Sequence, residues 1–196
     1  MPKIYVINKF QPNPYEGVEV DTTSHGSFKD LSPFYLGPLK DPHTGEPCRL
    51  LENYWQYSKV YSTQFDKASK MPSFEYYMWR QKGFESRKAV RYPMGKGTRP
   101  IGSLFNNQML GYLEARMAIY IPAYCELVKH TKSYALLYKW MHQDNRNIIL
   151  RDFDGFDYHA MNRSLYEVMC DPRRTLGHAF IIAAMLTGEI HKILKG

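Results

Sequence analysis

The alternation of apolar and polar residues predicts two strands and several helices. Residues 3–8 alternate as a short strand does, and residues 147–153 contain the apolar run Ile148-Ile149-Leu150, which is typical of a buried strand. Residues 11–47 are rich in Pro, Gly, Asp, Thr and Ser and predict loops with one short strand near Tyr35. Helices are predicted over residues 49–61, 73–81, 107–130 with a kink near Pro122, 133–143, 164–170 and 176–194.

These elements predict a single compact α+β domain that is mainly helical and has a small β-sheet. A chain of 196 residues is long enough to bury one continuous core. Residues 1–30 are expected to form an N-terminal extension made of a strand and a loop. The sequence contains no internal repeats, heptads or low-complexity tracts.

The predicted helix over residues 49–61 carries a row of three polar side chains. Gln56 and Lys59 follow Glu52 by four and seven residues, so a regular helix would place all three on one face. Their neighbours are mostly Leu, Tyr, Trp and Val, which favours a narrow polar site between apolar walls. The alternative is the solvent face of an amphipathic helix, and the spacing alone leaves both interpretations open.

Charge adds a second feature. The net charge is +7 and the sequence pI is about 9.2, which indicates an anionic partner such as nucleic acid, a nucleotide or a phosphorylated metabolite. Many of the basic residues lie between positions 80 and 99, although such a cluster is often only a solvated surface. Four of them are candidate nucleic-acid-binding residues: Lys88, Arg91, Lys96 and Arg99. The 16 tyrosines suit both pocket walls and base stacking, or simply core and rim positions.

Several classes of protein are disfavoured. Cys48, Cys125 and Cys170 are widely spaced and form no CxxC pair, which argues against a disulfide framework or a zinc knuckle. The histidines form no HxH or HxxxH pair, so neither a metal nor a cofactor is expected. The Gly95-Lys96-Gly97-Thr98 segment lacks the rest of a phosphate-binding loop. With no signal peptide and no long apolar run, a soluble cytoplasmic protein is expected, of unknown oligomeric state.

Two carboxylates lie where the strand predicted over residues 147–153 ends. Asp152 and Asp154 open an acidic turn that contains Gly155 and ends at Asp157. Carboxylates at the end of a strand are often presented to a cleft, where they can take part in catalysis. Aspartates in such turns also cap and stabilise the backbone, and the sequence leaves both roles open.

Two segments resemble the motifs of the NADAR family, which is also called YbiA-like. The family typically carries an "LSNFYP" segment and, about twenty residues later, an "EHAYQxxK" helix. The residues that match are Leu31, Ser32, Phe34 and Tyr35 in the first motif and Glu52, Gln56 and Lys59 in the second. Weaker similarity around Arg116, the acidic turn and Leu176-Gly177 extends the resemblance over residues 31–185. Pro33 stands where the family has Asn, Asn53 where it has His, and the Trp-Gly of the family's acidic turn is absent.

The resemblance implies a YbiA-like fold and an N-glycosidase that cleaves a bond between ribose and nitrogen. It implies catalytic roles for Glu52, Lys59, Asp152 and Asp154. The side chains expected to bind substrate are Ser32, Phe34, Tyr35, Trp55, Gln56 and Arg116. Activities in the family include removal of ADP-ribose from guanine in DNA and cleavage of ribosylamino-pyrimidine phosphates of riboflavin synthesis.

The basic residues favour ADP-ribosylated DNA as the substrate, which would make the protein an enzyme that reverses a toxin's modification. The alternative of the same class is a glycosidase of the riboflavin-pathway metabolites. The alternative of another class is a basic nucleic-acid-binding or inhibitor protein without catalysis, in which Glu52 and Lys59 would be solvated and unpaired.

Overall fold

A computed structural model describes residues 2–194. Helices hold 37% of the chain and strands 16%, which confirms the predicted α+β class. The strands are β1 Ile4–Asn8, β2 Val18–Asp21, β3 Leu39–Lys40, β4 Pro47–Cys48, β5 Lys59–Val60, β6 Phe65–Asp66, β7 Met71–Pro72, β8 Gly102–Phe105, β9 Gln108–Leu110 and β10 Ile148–Asp152. The α-helices are α1 Leu51–Tyr57, α2 Phe74–Glu85, α3 Tyr112–Ala115, α4 Ile121–Val128, α5 Lys132–His142, α6 Leu165–Met169, α7 His178–Leu186 and α8 Ile190–Leu194.

The chain divides into two compact units, of which the first comprises Met1–Ser32 and Tyr124–Gly196. Its sheet has β10 in the centre with β1 and β2 as parallel neighbours, so that Ile4 and Val18 both lie opposite Ile148. Helix α7 contacts β1 and β10. This helix is apolar on nearly all sides, and its residues 179–184 are completely buried because it forms the centre of the core. The predicted N-terminal extension therefore supplies both outer strands of this sheet.

The second unit comprises Pro33–Ala123 and contains the polar row. Strands β5, β8 and β9 form an antiparallel sheet, while β3–β4 and β6–β7 form two-stranded pairs. Val60, Tyr76 and Leu104 are buried together in a small core. Helix α1 packs on α2, where a Cβ at Gly83 would lie only 2.2 Å from the Tyr57 ring. The close approach of these two helices thus requires a glycine at position 83.

For two of the predicted helices, the predicted position of one end is wrong. The helix over residues 49–61 ends at Tyr57, because the chain turns at Ser58 and pairs with β8 from Lys59 onward. The helix over residues 107–130 begins only at Tyr112. Asn106 and Asn107 both have positive φ (48° and 56°) and form the two-residue turn between β8 and β9. Such a turn requires positive φ at both positions, which asparagine tolerates better than most residues. The Asn-Asn pair therefore indicates a turn, which the helical spacing of the neighbouring apolar residues obscured.

The other predicted elements are present, but the helix predicted over residues 73–81 extends to Glu85, and strands β2 and β5 to β9 were not predicted. Three further differences are local. Tyr35 lies in a turn rather than a strand, since the short strands of that region are β3 and β4. The predicted helix over residues 176–194 is interrupted at Gly188, whose φ of 75° ends it in the left-handed region. A π-helical turn, Arg116–Tyr120, precedes Pro122. Proline has no N–H, so the α-helical hydrogen bond from position 122 to Ala118 cannot form.

Candidate functional site: a buried carboxylate, amide and amine

Glu52, Gln56 and Lys59, the polar row, form a continuous chain of hydrogen bonds. Lys59 Nζ donates to Gln56 Oε1 at 2.7 Å, and Gln56 Nε2 donates to Glu52 Oε1 at 2.9 Å. Glu52 is only 5% exposed and Gln56 only 8%. Lys59 is half-buried, so the carboxylate and the amide are buried and the whole row is internally bonded, as a polar site requires and a solvent-facing helix surface does not.

The structure joins the three side chains without placing all of them on one helix. Glu52 and Gln56 lie one turn apart on α1, whereas Lys59 is the first residue of β5. Ser58 Oγ donates to the carbonyl oxygen of Trp55, and Leu104 N–H donates to the carbonyl oxygen of Ser58, so the chain leaves the helix here. The lysine side chain is long enough to reach back to Gln56 from the strand.

Burial lowers the pKa of Lys59 from its ordinary 10.5 to about 8. The charge of Glu52 raises this pKa, while the positive charge of Arg91 lowers it further. The amine also lies over the ring of Trp55, with Nζ 4.9 Å from the ring centroid. Lys59 is thus an amine that can gain or lose a proton near neutral pH, which an ordinary surface lysine cannot.

Aromatic rings surround the predicted binding residue Trp55. Its ring centroid lies 5.3 Å from that of Tyr120 and 6.5 Å from that of Tyr112. Arg116, another predicted binding residue, is 1% exposed and donates from Nη2 to Tyr112 Oη at 2.8 Å. Its guanidinium also lies 4.7 Å from the Tyr112 ring centroid. These rings and one buried cation form a surface suited to a base or a sugar.

Backbone contacts connect the first motif with the helix that carries Glu52. The N–H of Glu52 donates to the carbonyl oxygen of Pro33, and the N–H of Leu51 to that of Leu36. Of the three predicted binding residues in this region, Ser32 is buried, Phe34 is half-buried and Tyr35 is 51% exposed. Residues 33–36 therefore satisfy two of the N–H groups at the start of α1.

In the sequence Asn53 stands out only by its difference from the family motif. In the structure it holds the backbone of residues 86–90, which include basic side chains. It is fully buried, and its side-chain amide bonds to three backbone groups of residues 86–90. The four predicted nucleic-acid-binding residues follow or lie within this segment, and all four are exposed: Lys88, Arg91, Lys96 and Arg99. Of these, Arg91 exerts its charge on Lys59.

Asp152 and Asp154 lie in the first unit, at the end of β10. Asp152 is 3% exposed, and its carboxylate accepts hydrogen bonds from Asp154 N–H and Ala179 N–H, each at 3.1 Å. Asp152 therefore fixes both the acidic turn and the first turn of α7. Asp154 is half-buried. The expectation that a carboxylate of this turn faces Glu52 stays a prediction.

His178, which sequence patterns did not single out, joins Asp152 to the chain just after strand β2. Its Nδ1 lies 3.1 Å from Asp152 Oδ2, and its Nε2 lies 2.8 Å from the carbonyl oxygen of Thr22. A Cβ at Gly177 would lie 2.8 Å from Asp152 Oδ2, so glycine allows this carboxylate to sit against the start of the helix. The Asp152 carboxylate is therefore held by two backbone N–H groups and by contact with the His178 ring.

Among residues 2–194, no group of three or more His, Cys, Asp or Glu side chains could hold a metal ion. None of the helices in the same range combines the length and apolar character needed to cross a membrane.

The fold and the site define an α+β protein with a buried carboxylate–amide–amine chain beside an exposed basic segment. The sequence profile of a family of proteins of unknown function, DUF6939, matches residues 5–182, and the chain belongs to this family. No curated protein and no solved structure matches the chain.

Proposed function

We propose that the protein is an N-glycosidase of the NADAR type, which hydrolyses a bond between ribose and nitrogen. The observation that carries this proposal is the bonded row of Glu52, Gln56 and Lys59, with a carboxylate that is 5% exposed and an amine whose pKa is about 8. Desolvated acid–base groups that are bonded to one another are typical of catalytic sites. A protein that only binds nucleic acid has no need for them, so their burial favours catalysis.

The residue types suit the chemistry of a glycosidic bond. When the bond between C1′ and nitrogen breaks, its electron pair leaves with the nitrogen, and C1′ becomes an oxocarbenium-like centre. The carboxylate of Glu52 stabilises this positive charge. A water oxygen then bonds to C1′, its proton passes to Glu52 or Lys59, and the departing nitrogen takes up a proton. Water is the only co-reactant that the step needs.

The favoured substrate is ADP-ribosylated guanine in DNA. The exposed charges of Lys88, Arg91, Lys96 and Arg99 suit a phosphate backbone, and Trp55 with its neighbouring tyrosines suits a base or a ribose. Phosphorylated ribosylamino-pyrimidines remain the second candidate, because the combined charge of Lys59 and Arg91 suits a single phosphate equally well.

The test is to incubate the purified protein with an oligonucleotide that carries ADP-ribosyl-guanine and, in parallel, with a ribosylamino-pyrimidine phosphate. Mass spectrometry should detect release of ADP-ribose and restoration of the unmodified oligonucleotide. Release of ribose phosphate from the pyrimidine alone would transfer the proposal to the metabolite. Failure of the protein to cleave either compound, with its fold verified by circular dichroism, would contradict the N-glycosidase assignment.

A further inference from the structure

Three exposed aromatic rings form a small group on the surface of the first unit, the aromatic patch. Phe10 is 79% exposed and Phe153 is 38% exposed, and their ring centroids lie 5.8 Å apart. The ring of His25, which is also exposed, meets the Phe153 ring edge-on at 6.4 Å. Adjacent exposed rings differ from the scattered single apolar side chains that protein surfaces normally carry, and they indicate a binding site.

Hydrogen bonds hold the backbone of both phenylalanines. Asn8 Nδ2 donates to the carbonyl oxygen of Phe153 at 2.7 Å, and Asn8 Oδ1 accepts from the N–H of Phe10 at 3.0 Å. Arg151 Nη1 donates to the carbonyl oxygen of Gln11 at 2.8 Å, so the backbone is fixed on both sides of Phe10. Because the rings project from an ordered segment, little conformational entropy is lost when a ligand stacks on them.

The aromatic patch lies at the carboxyl edge of the parallel sheet. Phe10 comes two residues after the end of β1, and Phe153 directly follows β10, its hydrogen-bonded neighbour. Strand β2 is parallel to both, so all three strands end at this edge. In open sheets of parallel strands, ligands bind outside the carboxyl ends. The rings therefore lie where sheets of this kind hold small molecules.

The size of the aromatic patch favours a small ligand over a second protein. The exposed parts of Phe10 and Phe153 together amount to roughly one phenylalanine side chain, on the order of 200 Å². A stable protein interface takes about 800 Å² from each partner. The patch is thus large enough for one planar ring system and too small for a protein interface.

The charges beside the rings favour a ligand that is itself uncharged where it binds. Lys9 Nζ lies 5.0 Å from the Phe153 ring centroid and forms an ion pair with Asp21 at 2.9 Å. It also donates to Thr23 Oγ1 at 2.8 Å. The patch therefore has charges of both signs at its border, which offer donors and acceptors to a heterocycle and do not select an anion.

We propose that the aromatic patch is a stacking site for a nucleobase. Every base has a π-face that stacks on an aromatic side chain, and its polar edge suits the Lys9–Asp21 pair. The phosphate attached to the base is attracted by the net charge of +7. The base comes either from a free nucleotide or from a single strand of nucleic acid. Base binding here requires no N-glycosidase activity of the polar row, which belongs to the second unit.

The experiment is 19F NMR of protein in which phenylalanine is replaced by 4-fluorophenylalanine. Loss of a resonance in Phe10→Ser, Phe153→Leu or Phe74→Ser assigns it. Guanosine monophosphate should shift the resonances of Phe10 and Phe153 along one saturable curve, with a dissociation constant of about 1 mM. Phe74, which is 73% exposed on α2, is the matched control and should not shift. Ribose 5-phosphate has the sugar and phosphate without the base, and it should shift none of the three.

The variants measure what one ring contributes. Phe10→Ser should weaken nucleotide binding, followed on the Phe153 resonance, by about tenfold, the scale for loss of one stacking partner. Phe74→Ser should leave the affinity unchanged, and circular dichroism checks the fold of both. A single-stranded oligonucleotide that shifts Phe10 at lower concentration than the mononucleotide identifies a strand as the source of the base. Equal or weaker binding of the strand identifies the free nucleotide.

Several results would overturn the proposal. One is the absence of any shift at Phe10 and Phe153, and another is wild-type affinity in Phe10→Ser. An equal shift with ribose 5-phosphate would assign the site to the phosphate group. Shifts that depend on protein concentration without nucleotide would assign the patch to a second copy of the chain. A protein that binds the nucleotide here but cleaves neither glycoside would retain the stacking site and lose the proposed function.

Discussion

Lys59 Nζ lies 2.7 Å from Gln56 Oε1, although Gln56 belongs to helix α1 and Lys59 to strand β5. The same amide donates to Glu52, so Gln56 orients an amine on one side and a carboxylate on the other. An amide is neutral, and it can link the two without itself taking part in proton transfer. The protonation of Lys59 should consequently depend on the identity of residue 56.

Two different substitutions of Gln56 should shift the pKa of Lys59 in opposite directions. Gln56→Glu places a negative charge beside the amine and should raise this pKa by about one unit, because an opposite charge favours the ammonium form. Gln56→Leu removes a hydrogen-bond acceptor and should lower it below about 8. Titration of the lysine 13Cε resonance measures both. Gln81→Glu, on the exposed surface of α2, is the matched control. Shifts of the same sign in both variants would contradict the linking role.

Glu52→Gln should reduce turnover of the glycoside by about 100-fold, the usual scale for loss of an acid–base group. The substitution preserves size and removes the charge that stabilises C1′. Glu85→Gln on α2 makes the same chemical change at an exposed position and should keep normal turnover. Rates from time-course mass spectrometry, with melting temperatures for both variants, provide the measurement. Normal turnover in Glu52→Gln would remove Glu52 from the mechanism.

Turnover should rise with pH through about 8. The lowered pKa of Lys59 means that about a tenth of the amine is neutral at pH 7 and about nine-tenths at pH 9, so a base or nucleophile at this position gains activity over that range. Lys59→Arg keeps a positive charge that does not titrate, and it should lose both the activity and the inflection. A profile that falls above pH 8 would show instead that Lys59 works as the ammonium ion.

Neutralising the exposed basic segment should weaken binding to DNA of any sequence. The quadruple substitution of Lys88, Arg91, Lys96 and Arg99 by Gln should flatten the dependence of affinity on salt, by roughly one unit of slope for each DNA phosphate that is no longer neutralised. Fluorescence anisotropy at several salt concentrations measures the slope. The control removes four charges elsewhere, at the exposed Lys129, Lys132, Lys139 and Lys192. If the quadruple variant keeps the wild-type slope, the free metabolite becomes the favoured substrate.

We expect Asp152 to contribute to stability and Asp154 to contribute to turnover. Asp152→Asn turns an acceptor into a donor opposite the N–H of Ala179 or Asp154, so it should lower the free energy of unfolding by about 1–3 kcal/mol. Asp154→Asn should change it by less than about 0.5 kcal/mol and reduce turnover. Urea denaturation and the glycosidase assay distinguish the two. A stable Asp152→Asn protein would show that these hydrogen bonds contribute little.

The sequence by itself determined some of the local features of the protein. The apolar runs at residues 3–8 and 147–153 identified strands β1 and β10, because alternation and β-branched residues act over a few positions. The spacing of Glu52 and Gln56 likewise placed them one turn apart on a helix. Each of these depends on neighbours within four residues, which a single sequence displays directly.

Only the tertiary structure decided how the site is built. The helix around Glu52 ends at Tyr57 because residues 59–60 pair with residues 102–103, more than forty positions away. The bonds from Asn53 span 33 to 37 positions, and the burial that lowers the pKa of Lys59 is likewise a product of packing. Contacts between residues so far apart in the sequence depend on how the whole chain packs, and the spacing of hydrophobic residues does not reveal them. The polar row could therefore be read from the sequence, but its burial and its hydrogen bonding could not.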